Sequence, residues 1–347
     1  MRPPIAAGVL LALASAVAFG LTTPIIAWAG RDVAPLTTAA LLYAGAAMAA
    51  GAMRLRAPAT GGSLDRRDVP RIVGIAIAGA AVAPTLLAWG LARAGATVGS
   101  LVLNLEAVLT VLLAWAIYRE AIGRRVVVAV GLMVAGGAVL ALDAGTRSQA
   151  GLLGALAVAA ATLGWAIDNT LTRPLAERDP LQVIAAKAAL GTAITGTIAL
   201  ARGEPMPLLW SAGVLLGCGA TGYGFSLRLY LLAQRRIGAA RTGSVFALAP
   251  FVGAAIAFAL GDRAASPWTA AAAACFGVGV YLHLSERHQH AHVHEPADHD
   301  HAHRHDDGHH HHHHEPPVAG EHTHLHHHDR IAHGHDHAPD LHHDHSH

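Results

Sequence analysis

The sequence predicts an all-α polytopic membrane protein, with ten transmembrane helices in two inverted five-helix repeats and a disordered His-rich tail. Three observations predict it. Hydrophobic residues make up 53% and charged residues 14% of the chain, well below the roughly 25% charge of soluble domains. Nearly charge-free apolar runs recur from Ile5 to Leu284, at the length of about 20 residues that crosses a bilayer as a helix. All 27 histidines lie at or after His283.

Apolar windows place spans near 5–29, 35–53, 71–92, 96–118, 124–142, 151–172, 181–201, 209–232, 240–260 and 267–285. Helix is required because backbone polar groups in hydrocarbon must be satisfied within the segment. The Met1-Arg2 start and Ala14-Ser15-Ala16 imitate a secretory leader, but the apolar run continues to Trp28. That is too long for a leader core, so the first run is read as an uncleaved span.

Arg54, Arg56, Arg66, Arg67, Arg71, Arg124, Arg125, Arg235 and Arg236 all fall on one side of such a path, with few arginines on the other. Short-loop cations mark the cytoplasmic side, so the sequence predicts a multi-pass inner-membrane protein with both termini cytoplasmic. Trp28, Trp89, Trp210 and Trp268 fall at the opposite helix ends, where indole settles at the headgroups.

Compared with itself at an offset of 143 to 146 residues, the chain realigns Gly95-Ala96, Val102, Leu105, Ala114 and Ala116 with Gly238-Ala239, Val245, Leu248, Ala257 and Ala259. Phe19 and Pro35 meet Trp165 and Pro180. An odd number of spans per repeat inverts the second copy, an arrangement with its solute site near the midplane. The expected units are 5–142, 151–285 and the tail 286–347.

Ionisable groups inside spans are costly and mark candidate pathways. Glu106, with Asn104 nearby, sits in mid-span and suits proton coupling, recognition of an amine, or helix-to-helix packing. Lys187, the chain's one lysine, could hold a substrate carboxylate, pair with an acid, or snorkel to the headgroups. Asp168 and Asn169 follow Trp165 at the repeat position of Thr22 and Thr23, which precede Pro24; Asp168 could also pair with Lys187 or Arg173. Gly213, Gly217, Gly219, Gly222 and Gly224 surround Tyr223 and permit close packing or a hinge. Arg228 and the kink-forming Pro250 complete the candidate pathway.

The tail alternates His with Asp, Glu, Ala and Pro. Low apolar content predicts disorder, and imidazoles among carboxylates suit zinc, nickel, cobalt or copper. The candidate ligands are His299, His301, His303, His305, His309, His310, His311, His312, His313, His314, His322 and His324. No phosphate loop, Gly-x-Ser-x-Gly elbow or HExxH motif occurs, so catalysis and a required cofactor are not expected. A formal net charge of +1, with cations between spans, argues against nucleic acid as a partner. The partners expected are lipid, a small solute and divalent metals. Cys218 and Cys275 lie in apolar runs and read as small buried hydrophobes.

The run Gly95-Ala96 through Leu103-Asn104-Leu105-Glu106-Ala107-Val108 to Ala114-Trp115 and Glu120 resembles the EamA family of the drug/metabolite transporter superfamily. So does its later copy, Gly238-Ala239-Ala240 through Leu248-Ala249-Pro250-Phe251 to Gly261-Asp262. Ala107 stands where that family often has proline, and Tyr118-Arg119 precede Glu120 where a glycine is usual. The resemblance implies two five-helix repeats and secondary transport, mostly outward, of metabolites or amino acids. Two other readings stay open on the residues: a transition-metal transporter or metal-responsive permease, and a non-transporting membrane sensor or scaffold.

Overall fold

The computed structural model describes residues 3–56, 61–119, 122–175, 178–237, 239–262, 266–284, 289–294, 297–303, 322–328 and 331–336. The helices are α1 (Pro3–Ala29), α2 (Pro35–Arg54), α3 (Val69–Ala94), α4 (Ala96–Tyr118), α5 (Arg124–Arg147), α6 (Gln149–Thr172), α7 (Pro180–Ala201), α8 (209–237), α9 (239–259) and α10 (Pro267–Leu284). Among the described residues seven of these, α1 to α7, are long and apolar enough to cross a membrane.

Local chemistry fixes the ends. Pro35 and Pro180 open α2 and α7, where a missing N–H costs nothing. Ser148 accepts from the Gly151 amide at 2.9 Å to cap α6, and Asp179 accepts from Leu181 at 3.0 Å to cap α7. The turn between α3 and α4 is made at Gly95, with φ +84°, a conformation that a Cβ disfavours. Leu10, Val17, Val127, Val128, Leu142, Leu153, Leu156, Leu163 and Val278 are exposed, as lipid-facing side chains are.

Small residues let the helices approach closely. Gly90 and Gly154 meet across α3 and α6, and Gly136 and Gly279 seat α5 against α10. α2 packs along α7 and also against α8, where Gly45 faces the Leu216 carbonyl and Gly219 the Leu42 carbonyl. Of the glycines around Tyr223, Gly219, Gly222 and Gly224 pack closely, whereas Gly213 and Gly217 face open space.

Four helices are interrupted, at matched places. α3 widens into a π segment at Ala76–Val82 and α8 at Gly219–Phe225. α4 breaks at Leu103–Asn104 between Ala96–Val102 and Leu105–Tyr118, and α9 breaks between Ala239–Phe246 and Ala249–Ala259. α1, by contrast, runs through Pro24 without interruption.

α7 is tied at both ends, to the segment between α2 and α3 and to the start of α2. At one end Gln182 accepts from the Leu64 amide at 2.7 Å, the Asp179 amide donates to Gly62, and Arg178 pairs with Asp68 at 2.9 Å and Asp65 at 3.0 Å. At the other end Glu204 accepts from the Thr37 amide at 2.9 Å and its hydroxyl at 2.7 Å.

Four segments of the tail are among the described residues. Gln289–His294 runs antiparallel to Ile331–Asp336, and Ala297–His303 to His322–His328. Alternation of His with other residues has the period of a strand, although a lone two-stranded ladder is marginal in water.

Candidate functional site

The polar groups of the helical body converge where α2, α3, α4, α6, α7 and α8 meet, and a proline initiates the arrangement. Within the π segment of α3 the Ala83 amide bonds back to Ala78, and Pro84 has no N–H to offer. The Gly79 carbonyl therefore loses its helical partner. It accepts instead from the Tyr43 hydroxyl at 2.5 Å and from Trp165 Nε1 at 3.0 Å, joining α2, α3 and α6. A buried carbonyl left unsatisfied would be costly, so both donors stabilise the irregular turn.

Asp168 lies one turn beyond Trp165 and packs over Gly79, where any larger residue would overlap its carboxylate. Lys187 on α7 donates to Asp168 Oδ2 at 2.5 Å, and Thr172 to Oδ1 at 3.1 Å. Asp168 therefore pairs with Lys187 rather than Arg173, whose guanidinium sits over the Tyr118 ring. The Lys187 side chain is turned into the helical body, 16% exposed, and that of Asp168 is 4% exposed.

Glu106 follows the break in α4 and accepts from Asn169 Nδ2 at 2.9 Å. Asn169 is exposed, yet the lipid-facing Leu163 lies roughly 120° around α6 from it, at about 100° per residue. Its exposure is therefore on another face than the lipid-covered one. Asn104 is buried at the break and donates to the Leu101 carbonyl at 2.9 Å.

Aromatic rings continue the site. Tyr223, on the π segment of α8, lies 5.5 Å from Tyr43, 5.7 Å from Phe19 and 6.4 Å from Trp165 by ring centroid. Phe246 joins Phe19 to Tyr230 at 5.5 and 5.1 Å.

The remaining candidates are placed as follows. Thr22 and Thr23 are buried; Thr22 donates to the Phe19 carbonyl and packs over Gly222 as Asp168 does over Gly79. Pro250 opens the second half of α9. Arg228 is half-buried further along α8. Of the tail histidines, His299, His301, His303, His322 and His324 lie in the ladders, while His305 and His309 to His314 lie outside the described residues. The acidic exit residue Asp262 accepts from the Thr97 amide at 2.8 Å, at the start of α4; Glu120 lies outside the described residues. Sequence reasoning missed Tyr43, Gly79 and the π segments. Pro84 in mid-span was the available signal.

The sequence profile of the EamA-like transporter family matches residues 6–142 and 152–285. The chain belongs to the EamA-like transporter family. An uncharacterized transporter of Methanothermobacter thermautotrophicus is similar, 30% identical over 204 residues, which cover 56% of this chain and 58% of the relative. The chain thus spans rather more than half the length of that curated relative. A crystal structure with a TM-score of 0.58 and 19% identity covers 79% of this chain and 94% of its own, a likeness of fold. Membership and the seven membrane-crossing helices among the described residues make this EamA-like chain a multi-pass membrane protein.

Proposed function

We propose that this EamA-like protein is a secondary transporter that exports small metabolites, amino acids among them, across the inner membrane. Ten spans form two inverted five-helix units with both termini cytoplasmic. One observation carries the reading: two carboxylates, a lysine and an amide are gathered in the helical body where elements of both halves meet. Such groups are expensive in a bilayer and are retained where a solute must be bound. The interrupted helices support it, since irregular backbone at membrane depth is tolerated where it lines a solute path.

The test is flux of a solute panel in proteoliposomes, with wild type beside Glu106→Gln. Gradient-driven movement that the substitution abolishes is the expected result; no flux of any solute would overturn the reading. Labelling both chain ends from one face tests the topology.

The tail belongs to the same proposal as a divalent-metal binder. Its ladder register sets His299 opposite His326, His301 opposite His324 and His303 opposite His322, and imidazoles among carboxylates suit divalent transition metals. Zinc titration of the full chain against one truncated after Arg287 tests it, with loss of binding expected on truncation.

A further inference from the structure

The arginines at one end of the helical body are of two kinds. Arg178, just before α7, is spent within the protein: it pairs with Asp68 and Asp65 and donates to the Ser63 carbonyl at 3.2 Å. Arg173 lies over the Tyr118 ring. Arg54 and Arg56 at the end of α2, and Arg66, Arg67 and Arg71 at the entry to α3, are exposed instead. Among the described residues no ion pair engages these five guanidinium groups.

The carboxylates described at this end are already taken. Asp65 and Asp68 face Arg178, and Asp179 caps α7. The segment that carries the arginines is also fixed in position. The Leu64 amide donates to Gln182, the Asp179 amide donates to the Gly62 carbonyl at 2.8 Å, and Ile72 and Ile75 pack with Leu175 and Val183. Cations held on a fixed frame lose little freedom when an anion arrives.

Apolar side chains stand exposed among these cations. Leu55, between Arg54 and Arg56, is 90% exposed, and Val69, between Arg67 and Arg71, is 54% exposed. Cations beside apolar side chains suit the boundary of headgroups and acyl chains. There a guanidinium reaches a phosphodiester and its apolar neighbour enters hydrocarbon, whereas phosphate free in water offers Leu55 no partner.

We infer that the ends of α2 and α3 form a docking surface for anionic phospholipid headgroups, and that Arg178 assembles this surface from the other half of the chain. Arg178 draws Asp65 and Asp68 away from the arginines beside them in sequence. Without it, two carboxylates stand among those cations and cancel part of their attraction for phosphate. Headgroup binding and the tie of α7 are thereby linked: each strengthens the other by the same factor. The inference needs a chain that lies in a membrane and does not depend on which solute is carried.

The test uses the purified full chain in detergent micelles, with spin-labelled phosphatidylglycerol and phosphatidylcholine on identical acyl chains as probes. Phosphatidylglycerol is expected to associate at least about tenfold more tightly, since one arginine near a headgroup contributes roughly fivefold. The triple variant Arg66→Gln, Arg67→Gln, Arg71→Gln loses most of that preference and binds phosphatidylcholine as wild type does. A second triple variant, Arg119→Gln, Arg124→Gln, Arg236→Gln, removes the same charge from the same end of the helices. It keeps the preference within about threefold, because headgroup attraction fades within a Debye length. Arg178→Gln weakens phosphatidylglycerol more than Arg66→Gln does, and adding Asp65→Asn and Asp68→Asn restores it. Equal association of the two lipids overturns the docking surface, as does an equal loss in both triple variants, or displacement of the labelled lipid by inorganic phosphate at constant ionic strength. A loss in Arg178→Gln no larger than in Arg66→Gln overturns the assembly by Arg178.

Discussion

The two halves share a scaffold and differ in chemistry. Offsets of 145 and 146 residues set Trp165 against Phe19, Asp168 against Thr22, Asn169 against Thr23 and Lys187 against Leu42, and the offset that aligns Leu105 with Leu248 sets Glu106 against Ala249. In both halves a side chain of the first helix of the unit packs over a glycine in a π segment, Asp168 over Gly79 and Thr22 over Gly222. The glycine contact is common to both places, and charge occupies one of them. Backbone shape is therefore maintained independently of what the site recognises, and the charged place is where selectivity should reside.

The sharpest way to break this comparison is to remove a charge. Lys187→Met leaves Asp168 buried and unpaired, a change that costs about 3–5 kcal/mol. Its counterpart Leu42→Met, a volume-conserving swap, costs less than about 1.5 kcal/mol. Thermal unfolding of the purified protein should show a large drop for the first variant and a small one for the second. Adding Asp168→Asn to Lys187→Met should restore most of the loss. Equal melting temperatures for the two single variants would mean that the ion pair contributes nothing.

A smaller effect tests the shared part. Gly79→Ala and Gly222→Ala each force a Cβ onto the opposing side chain, at about 1–3 kcal/mol for overpacking. Both should lower the unfolding temperature, whereas Gly217→Ala, which faces open space, should not. A loss at Gly79 alone would show that the scaffold is not common to both halves.

The smallest effect lies outside the membrane. The Arg67 amide first, then the Arg178 guanidinium, holds Asp65 below its ordinary value of 3.8. A depressed carboxyl contributes stability above its unfolded value, and that contribution is lost as pH falls through its folded value. A spin label at Ser63 should therefore stay ordered at neutral pH and gain mobility only below about pH 4. Mobility that does not change in acid would show that Asp65 does not hold the loop.

Several span limits were legible because apolar length and flanking prolines decide them locally; α2 and α10 begin at Pro35 and Pro267 as the sequence predicts, and α7 begins at Pro180, one residue before the predicted span. The ionisable members of the site were legible too, since Glu106, Asp168 and Lys187 interrupt apolar runs. Their partners were not. The choice of Lys187 over Arg173 depends on which way α7 faces, a tertiary property. Gly79 looked like any small residue in a small-residue helix, because its significance comes from the amides of Ala83 and Pro84. Pro24, by contrast, is absorbed within a continuous α1.

The ties at both ends of α7, to the α2–α3 segment and to the start of α2, have a mechanical consequence. A carrier that exposes its cargo first to one compartment and then to the other needs a fulcrum, and the clamped α7 with α2 packed along it is placed to act as one. Dyes placed on α2 and α7 should then keep a constant separation through the cycle, a fixed ruler against which movement of the other helices is measured.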